Sequence, residues 1–194
     1  AYIGVGQLLS PLVNDSLSYE RTLELARQQY NLLAVDDLLN VGYPPYDYKQ
    51  VLRQRRWLTR LTAVKNSAGH PMREVEFFSN LQELLATPEY SLLDIFRMGM
   101  KPLFSIQHLW NRDYYQIDLM KSINRLELPV FFLCGREDHF TPSLLVEEFF
   151  NKLEDPRGKA FIWFEHSGHH PEYEEPAKFW EFLERQVLPI SEMN

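Results

Sequence analysis

The chain has 194 residues, 20 basic and 27 acidic, and a formal net charge of −7; this balance argues against a phosphate-backbone binder, so no nucleic-acid partner is expected. A single cysteine, Cys134, excludes a disulfide framework within the chain, and no apolar run approaches the length of a membrane span. With no signal-peptide pattern at the first residues, the default expectation is a cytoplasmic protein without a membrane partner.

From Gln7 to Asn124 the pattern is helical almost throughout. Ser18 is placed to cap a helix whose apolar face includes Tyr19, Leu23, Ala26 and Tyr30, and a second short helix covers about Leu32 to Asn40. GYPPY, Gly42 to Tyr46, breaks the chain. Asp47 is then placed to cap a helix with Val51, Leu52, Leu58 and Leu61 inward and Arg53, Arg55, Arg56 and Arg60 mostly outward. A loop at Ser67 to Pro71 leads to a further helical pattern over Phe77 to Leu109, interrupted at Pro88, Gly99 and Pro102. Trp57, Phe77, Phe78, Phe96 and Trp110 read as core rather than pocket, and Glu74, Glu76 and Glu83 read singly as a solvated helix face. There is no internal repeat and no low-complexity segment.

Leu128 to Pro142, LPVFFLCGREDHFTP, organises the rest. The apolar run to Cys134 is too short for a helix; it ends at Gly135, delivers charged residues and closes on a Thr-Pro helix start. This reads as a buried parallel strand, a tight turn and a helix, with Asp138 outside the strand's carboxyl end, where open α/β sheets place their chemistry. Cys134, inside the strand, reads as a small core residue. The bland alternatives for Asp138 are a cap for the helix near Pro142 or an ion pair with Arg136; Glu137 is the competing acid.

A second unit follows at Lys159 to Phe182. Ala160 to Phe164 forms another short apolar strand, the polar loop EHSGHHPEYEE comes next, and a helix opens at Pro176 with Phe179, Trp180, Leu183 and Val187 on its apolar face. His169 has His166 and His170 as neighbours, so a one-residue alternative stays open. The same cluster fits no common zinc spacing, and Gly168 and Pro171 make it a loop; neither a metal nor another cofactor is expected. The acidic run Glu172, Glu174 and Glu175 reads as a solvated loop with favourable charge at a helix N-terminus.

Strand, acid, helix, strand, histidine, helix is an order that resembles the C-terminal half of the α/β-hydrolase fold. Gly135, Arg136, Glu137 and Asp138 match that family's acid motif; Gly168, His169, Glu174, Glu175, Pro176 and Phe179 match its histidine motif. The resemblance implies that Asp138 orients the imidazole and that His169 serves as general base and then general acid. Tyr2 to Val5 is similar to the strand that follows the family's nucleophile helix. YIGVGQ, LSYERTLELARQQ, GYPPY, EYSLLDIFRMGM and LFS together resemble the helical cap of the prolyl-aminopeptidase-like branch. The expected organisation is therefore a first strand within residues 1–6, a helical cap over 7–124 and a C-terminal core over 125–194, giving an α/β fold of three parallel strands with flanking helices. In this fold the nucleophile Ser sits in a GxSxG elbow upstream of the acid, and no GxSxG occurs in these residues. The elbow and first strands are expected upstream of Ala1.

The activity so implied is acyl transfer by a serine hydrolase, a prolyl-aminopeptidase-like peptidase or an esterase, on a small-molecule or short-peptide substrate. An aspartate nucleophile would use the same histidine. Glu74, Glu76 and Glu83 are candidates by resemblance for a substrate's amino group. Gln7, leaving a strand at the same end, either lines the pocket or helps the chain turn. The other function class is a non-catalytic, truncated hydrolase-like chain acting as an association module. An unpaired apolar edge at Tyr2 to Val5 is expected to self-associate.

Overall fold

Val130–Gly135 forms β2, the centre of a three-stranded parallel sheet, with β1 (Tyr2–Val5) on one side and β3 (Lys159–Phe164) on the other. The computed structural model describes residues 1–62, 85 and 87–192. The register sets Tyr2 against Val130 and Val5 against Leu133, then Val130 against Lys159 and Gly135 against Phe164. All six residues of β2 are buried, as a continuous apolar run without polar alternation requires. One face, Val130, Phe132 and Cys134, packs on Leu145, Val146 and Phe149 of the helix Ser143–Lys152. The other, Phe131 and Leu133, packs on Phe164, Phe179, Phe182 and Leu183. This alternation is the period of two along a strand, with helices closing both faces.

Among the described residues, the link from β1 to β2 is mostly helical. α1 (Pro11–Gln28), α2 (Leu32–Val41) and α3 (Tyr48–Leu61) share a core that includes Tyr19, Leu23, Ala34, Leu38, Val51 and Trp57, against which Tyr115 also packs. Asp47 caps α3 by accepting from the N–H groups of Lys49 and Gln50, while the Gln50 side chain accepts from the Asp47 N–H, a reciprocal capping box. Burial of the Cys134 thiol pushes its pKa up to about 12, which suits an inert core residue.

Several local expectations are corrected. Ser18 does not cap a helix: α1 starts two turns earlier, with Ser10 at the cap and Pro11 in the first turn, where a missing N–H is harmless. Ser18 is instead buried mid-helix. Tyr30 lies beyond α1 in a left-handed conformation and is exposed. Leu52 is exposed and Arg55 turns inward, because residue 55 lies one turn from Val51 and from Leu58 on the buried side. α4 (Leu92–Leu109) begins after the break at Pro88 but runs through both Gly99 and Pro102. A proline removes one hydrogen bond without ending a helix whose flanking turns hold, and a Ser91–Asp94 capping box starts this one. Phe96 is exposed, whereas Trp57 is buried and Trp110 half-buried on the helical core; Trp180 is exposed, whereas Phe179, Leu183 and Val187 face the sheet. Ser67 to Pro71, Glu74, Glu76, Phe77, Phe78 and Glu83 lie outside the described residues. Among the described residues no helix is long and apolar enough to cross a membrane.

The sheet's carboxyl end has one tight spot. A Cβ on Gly135 would lie 2.0 Å from the Gly168 carbonyl oxygen and 2.3 Å from that of Ser167, both main-chain atoms that cannot rotate away. Gly135→Ala is therefore expected to destabilise by at least about 1–3 kcal/mol, the usual range for overpacking. A urea midpoint unchanged from wild type would contradict this closure.

Candidate active site

Arg136 N–H donates to the Phe164 carbonyl at 3.0 Å, and Glu137 N–H to the Ser167 carbonyl at 3.0 Å, which zips the loop after β2 to the loop after β3. Ser143 Oγ donates to the Gly135 carbonyl at 2.7 Å and closes the turn from below. Asp138 follows in an Asx turn: Oδ1 accepts from the N–H groups of Phe140 at 2.9 Å and Thr141 at 2.8 Å. Oδ2 accepts from Thr141 Oγ1 at 2.7 Å and lies 3.0 Å from His169 Nδ1. Asp138 is buried, with no remaining acceptor position turned to water.

Both bland alternatives for Asp138 fail on geometry. Pro142 occupies the cap position of the next helix, and Arg136 pairs with Glu165 at 2.9 Å while lying over the Trp163 ring. The competing acid, Glu137, is exposed and faces His139 Nε2 at 3.4 Å rather than His169. Of the neighbouring histidines, His166 is exposed, and His170 Nδ1 sits 3.1 Å from Glu172 Oε1. The structure thus brings together the two residues named from sequence, Asp138 and His169, and leaves the others apart.

With Nδ1 directed at a carboxylate, the neutral imidazole carries its proton there and leaves Nε2 as the acceptor nitrogen. Burial is the largest influence on the His169 pKa and lowers it. The hydrogen bond and charge of Asp138 together outweigh it, and the net displacement is upward from 6.5. Thr141 Oγ1 also lies 3.1 Å from Nδ1, so the hydroxyl that donates to Asp138 turns a lone pair to the ring. Gly6, at φ +52°, completes the seat: a Cβ there would be 2.8 Å from Cε1 and 2.9 Å from Nδ1 of His169.

The acidic run after the histidine is not a solvated loop. Glu175 Oε1 accepts from Ser167 Oγ at 2.9 Å and from His166 N–H at 3.2 Å, and buried Glu174 accepts from Gly168 N–H. These carboxylates reach back and clamp the loop that carries His169. Gln7 also turns back, accepting from the Tyr2 hydroxyl and donating to the Leu8 carbonyl at 2.7 Å. The sequence reading gave Thr141 and Gly6 no part in the site, although Asp-x-x-Thr before a proline was a legible Asx-turn signal. Among the described residues no group of three or more His, Cys, Asp or Glu side chains could hold a metal ion.

Burial is the main cause of an upward shift in the Glu174 pKa, opposed by its bond from Gly168 N–H. A carboxyl whose folded pKa is raised contributes stability in full below its unfolded value, near 4.5, and loses it as pH rises through the folded value. Glu174→Gln, which keeps an acceptor for Gly168 and drops the charge, is expected to be more stable than wild type at pH 7 and equal to it near pH 4. Equal urea midpoints at both pH values would refute the buried-charge account.

No family model matches the chain. Over 188 residues it is 25% identical to Probable aminopeptidase YbaC of Bacillus subtilis (strain 168), a match that covers 96% of this chain and 57% of that protein. The chain thus spans little more than half the length of this relative. Among solved structures it is similar to an alpha/beta fold family hydrolase from Bacillus anthracis str. Sterne, at 18% identity and a TM-score of 0.33, covering 65% of this chain and 53% of that one. An esterase from Exiguobacterium antarcticum matches at 18% identity and a TM-score of 0.31, over 63% of this chain and 52% of its own. The parallel sheet with its flanking helices and the long sequence match together support an α/β-hydrolase fold.

Proposed function

We propose that the chain is an α/β-hydrolase of the aminopeptidase-like branch, in which Asp138 and His169 are the acid and the base of an acyl-transfer centre whose nucleophile lies outside these 194 residues. The contact between His169 Nδ1 and Asp138 Oδ2 carries this reading, because it leaves Nε2 as the base. Nε2 takes the proton of a serine hydroxyl as its oxygen attacks the substrate carbonyl. The imidazolium, stabilised by Asp138, gives that proton to the departing amine or alcohol. Water then repeats the sequence to release the acid. The relative's name as a probable aminopeptidase favours an amide at a peptide's N-terminal residue; the resemblance to the prolyl-aminopeptidase-like branch makes prolyl amides the first candidates, with esters open to the same chemistry. In this reading the described helices between β1 and β2 belong to a cap that shields Nε2 from bulk water.

The outer edge of β1 supports further chain beyond it. Among the described residues β1 pairs only with β2, and beside it lies a mostly apolar cavity of about 260 Å³ whose lining includes Tyr2, Gln7, Leu9, Leu119, Phe132 and Phe149. Strands bearing the nucleophile would fill that place. A second copy of the chain pairing on the same edge is the alternative, and it belongs to the reading of the chain as an association module without activity.

The test is hydrolysis of prolyl and other aminoacyl amides and of p-nitrophenyl esters by the protein as its source cell makes it, with its intact mass measured alongside. Turnover is expected to fall by about a thousandfold or more in His169→Ala. In wild type, kcat/KM is expected to rise with pH through a value above 6.5, since only neutral imidazole is a base. Turnover untouched by His169→Ala would overturn the catalytic reading. A product of 194 residues that self-associates and hydrolyses nothing would establish the alternative.

A further inference from the structure

The carboxylate of Asp138 is held by the N–H groups of Phe140 and Thr141, and the carbonyls just before those N–H groups are held from the helical segment. Ser18 Oγ donates to the His139 carbonyl at 2.8 Å. Asn14 Nδ2 donates to the Phe140 carbonyl at 2.9 Å, and Arg55 Nη1 donates to the same oxygen at 3.2 Å. Arg55 is the hub of this grip. Its Nη1 also donates to Ser18 Oγ at 2.9 Å, and its Nη2 to Asp15 Oδ1 at 2.8 Å, while Tyr115 OH fixes the second Asp15 oxygen at 2.8 Å. The guanidinium carbon lies 5.2 Å from the centre of the Phe140 ring, whose centre is in turn 5.7 Å from that of His169. One planar cation thus spans α1, the acid loop and the aromatic ring beside the imidazole, a reach that an ammonium point charge lacks.

We propose that Arg55 is a positioning residue for the acid–histidine pair: anchored by Asp15, it holds the main chain of residues 139 and 140 and thereby sets Asp138 Oδ2 against His169 Nδ1. The proposal rests on the catalytic reading of that pair for its consequence in turnover, but its geometry stands without it. It couples the helical segment to the chemistry, because a shift of α1 or α3 would move the acid loop.

Charge and position give opposite signs at the imidazole, which makes the role testable. The charged groups acting on His169 are Asp138 and Glu172, which favour its protonation, and Arg55, which opposes it. If Arg55 acts by charge alone, removing it raises the His169 pKa; if it positions Asp138, removing it weakens the Asp138 contact and lowers the pKa. Arg55→Lys keeps the charge and the Asp15 pair and so isolates position. The double variant Asp15→Asn with Arg55→Met removes both buried charges and guards against the unfolding that a stranded Asp15 would cause.

The experiment is an NMR pH titration of the His169 ring in the intact protein, with the low-field Nδ1 proton followed in parallel and melting temperature recorded. The expected result is a lower His169 pKa and a broadened Nδ1 proton in both variants, with Arg55→Lys melting close to wild type. Where the protein hydrolyses its substrate, kcat is expected to drop about ten- to a hundredfold, with KM little changed. An unmoved titration in Arg55→Lys, or a raised pKa in the double variant, would overturn the proposal. The titration needs no substrate, so a failure of the hydrolase reading, seen as turnover indifferent to His169→Ala, is distinguishable from a failure of this one.

Discussion

Two loops far apart in the chain meet at a point where only a hydrogen atom fits. The missing side chain at Gly135 lets the Ser167 and Gly168 carbonyls come down on the end of β2, and the N–H groups of Arg136 and Glu137 then extend the sheet's hydrogen bonding past its last residues. Asp138 and His169, 31 residues apart, reach contact because their backbones are already fixed there. The buried faces of β2 make this worth holding, since its six residues lock the strand from both sides and leave its end no freedom to retreat.

Buried carboxylates around this end are satisfied by different means. Asp138 accepts from two N–H groups and a hydroxyl before it meets the imidazole, and Asp15 is neutralised by Arg55 and bonded by Tyr115. Burial first, and then the charge of Asp15, push the Tyr115 pKa up, so the phenol stays a proton donor to that carboxylate throughout the accessible pH range. Glu174, bonded mainly to one N–H, is the least compensated of the three, and its raised pKa expresses that. Removing one partner of the Asp15–Arg55 pair leaves an uncompensated buried charge, a change that costs about 3–5 kcal/mol in comparable sites.

The features legible in the sequence were those set by short-range pattern. β2 announced itself as an apolar run with a glycine exit and Asp47 as a cap, while the resemblance to the α/β-hydrolase motifs singled out Asp138 and His169, which the fold brings into contact. Ser18 was misread because capping preference was weighed without the stronger local sign of Ser10 followed by Pro11. Arg55 was placed outward by residue type, although its spacing from Val51 and Leu58 put it on the buried side; only the presence of Asp15 on α1 makes burial of that charge tolerable. Glu174 and Glu175 were read as solvated for the same reason: their partners are N–H groups and a hydroxyl in the preceding loop, a tertiary relation that no period of two or 3.6 encodes.

Gly6 stands at the opposite end of the chain from the histidine it touches. The room for the imidazole is left by a residue that reading along the sequence would assign to the scaffold. Any side chain introduced there meets both an unfavourable backbone conformation and the ring itself. A substitution at Gly6, just past the first strand, would therefore register as damage to a histidine far away in the sequence.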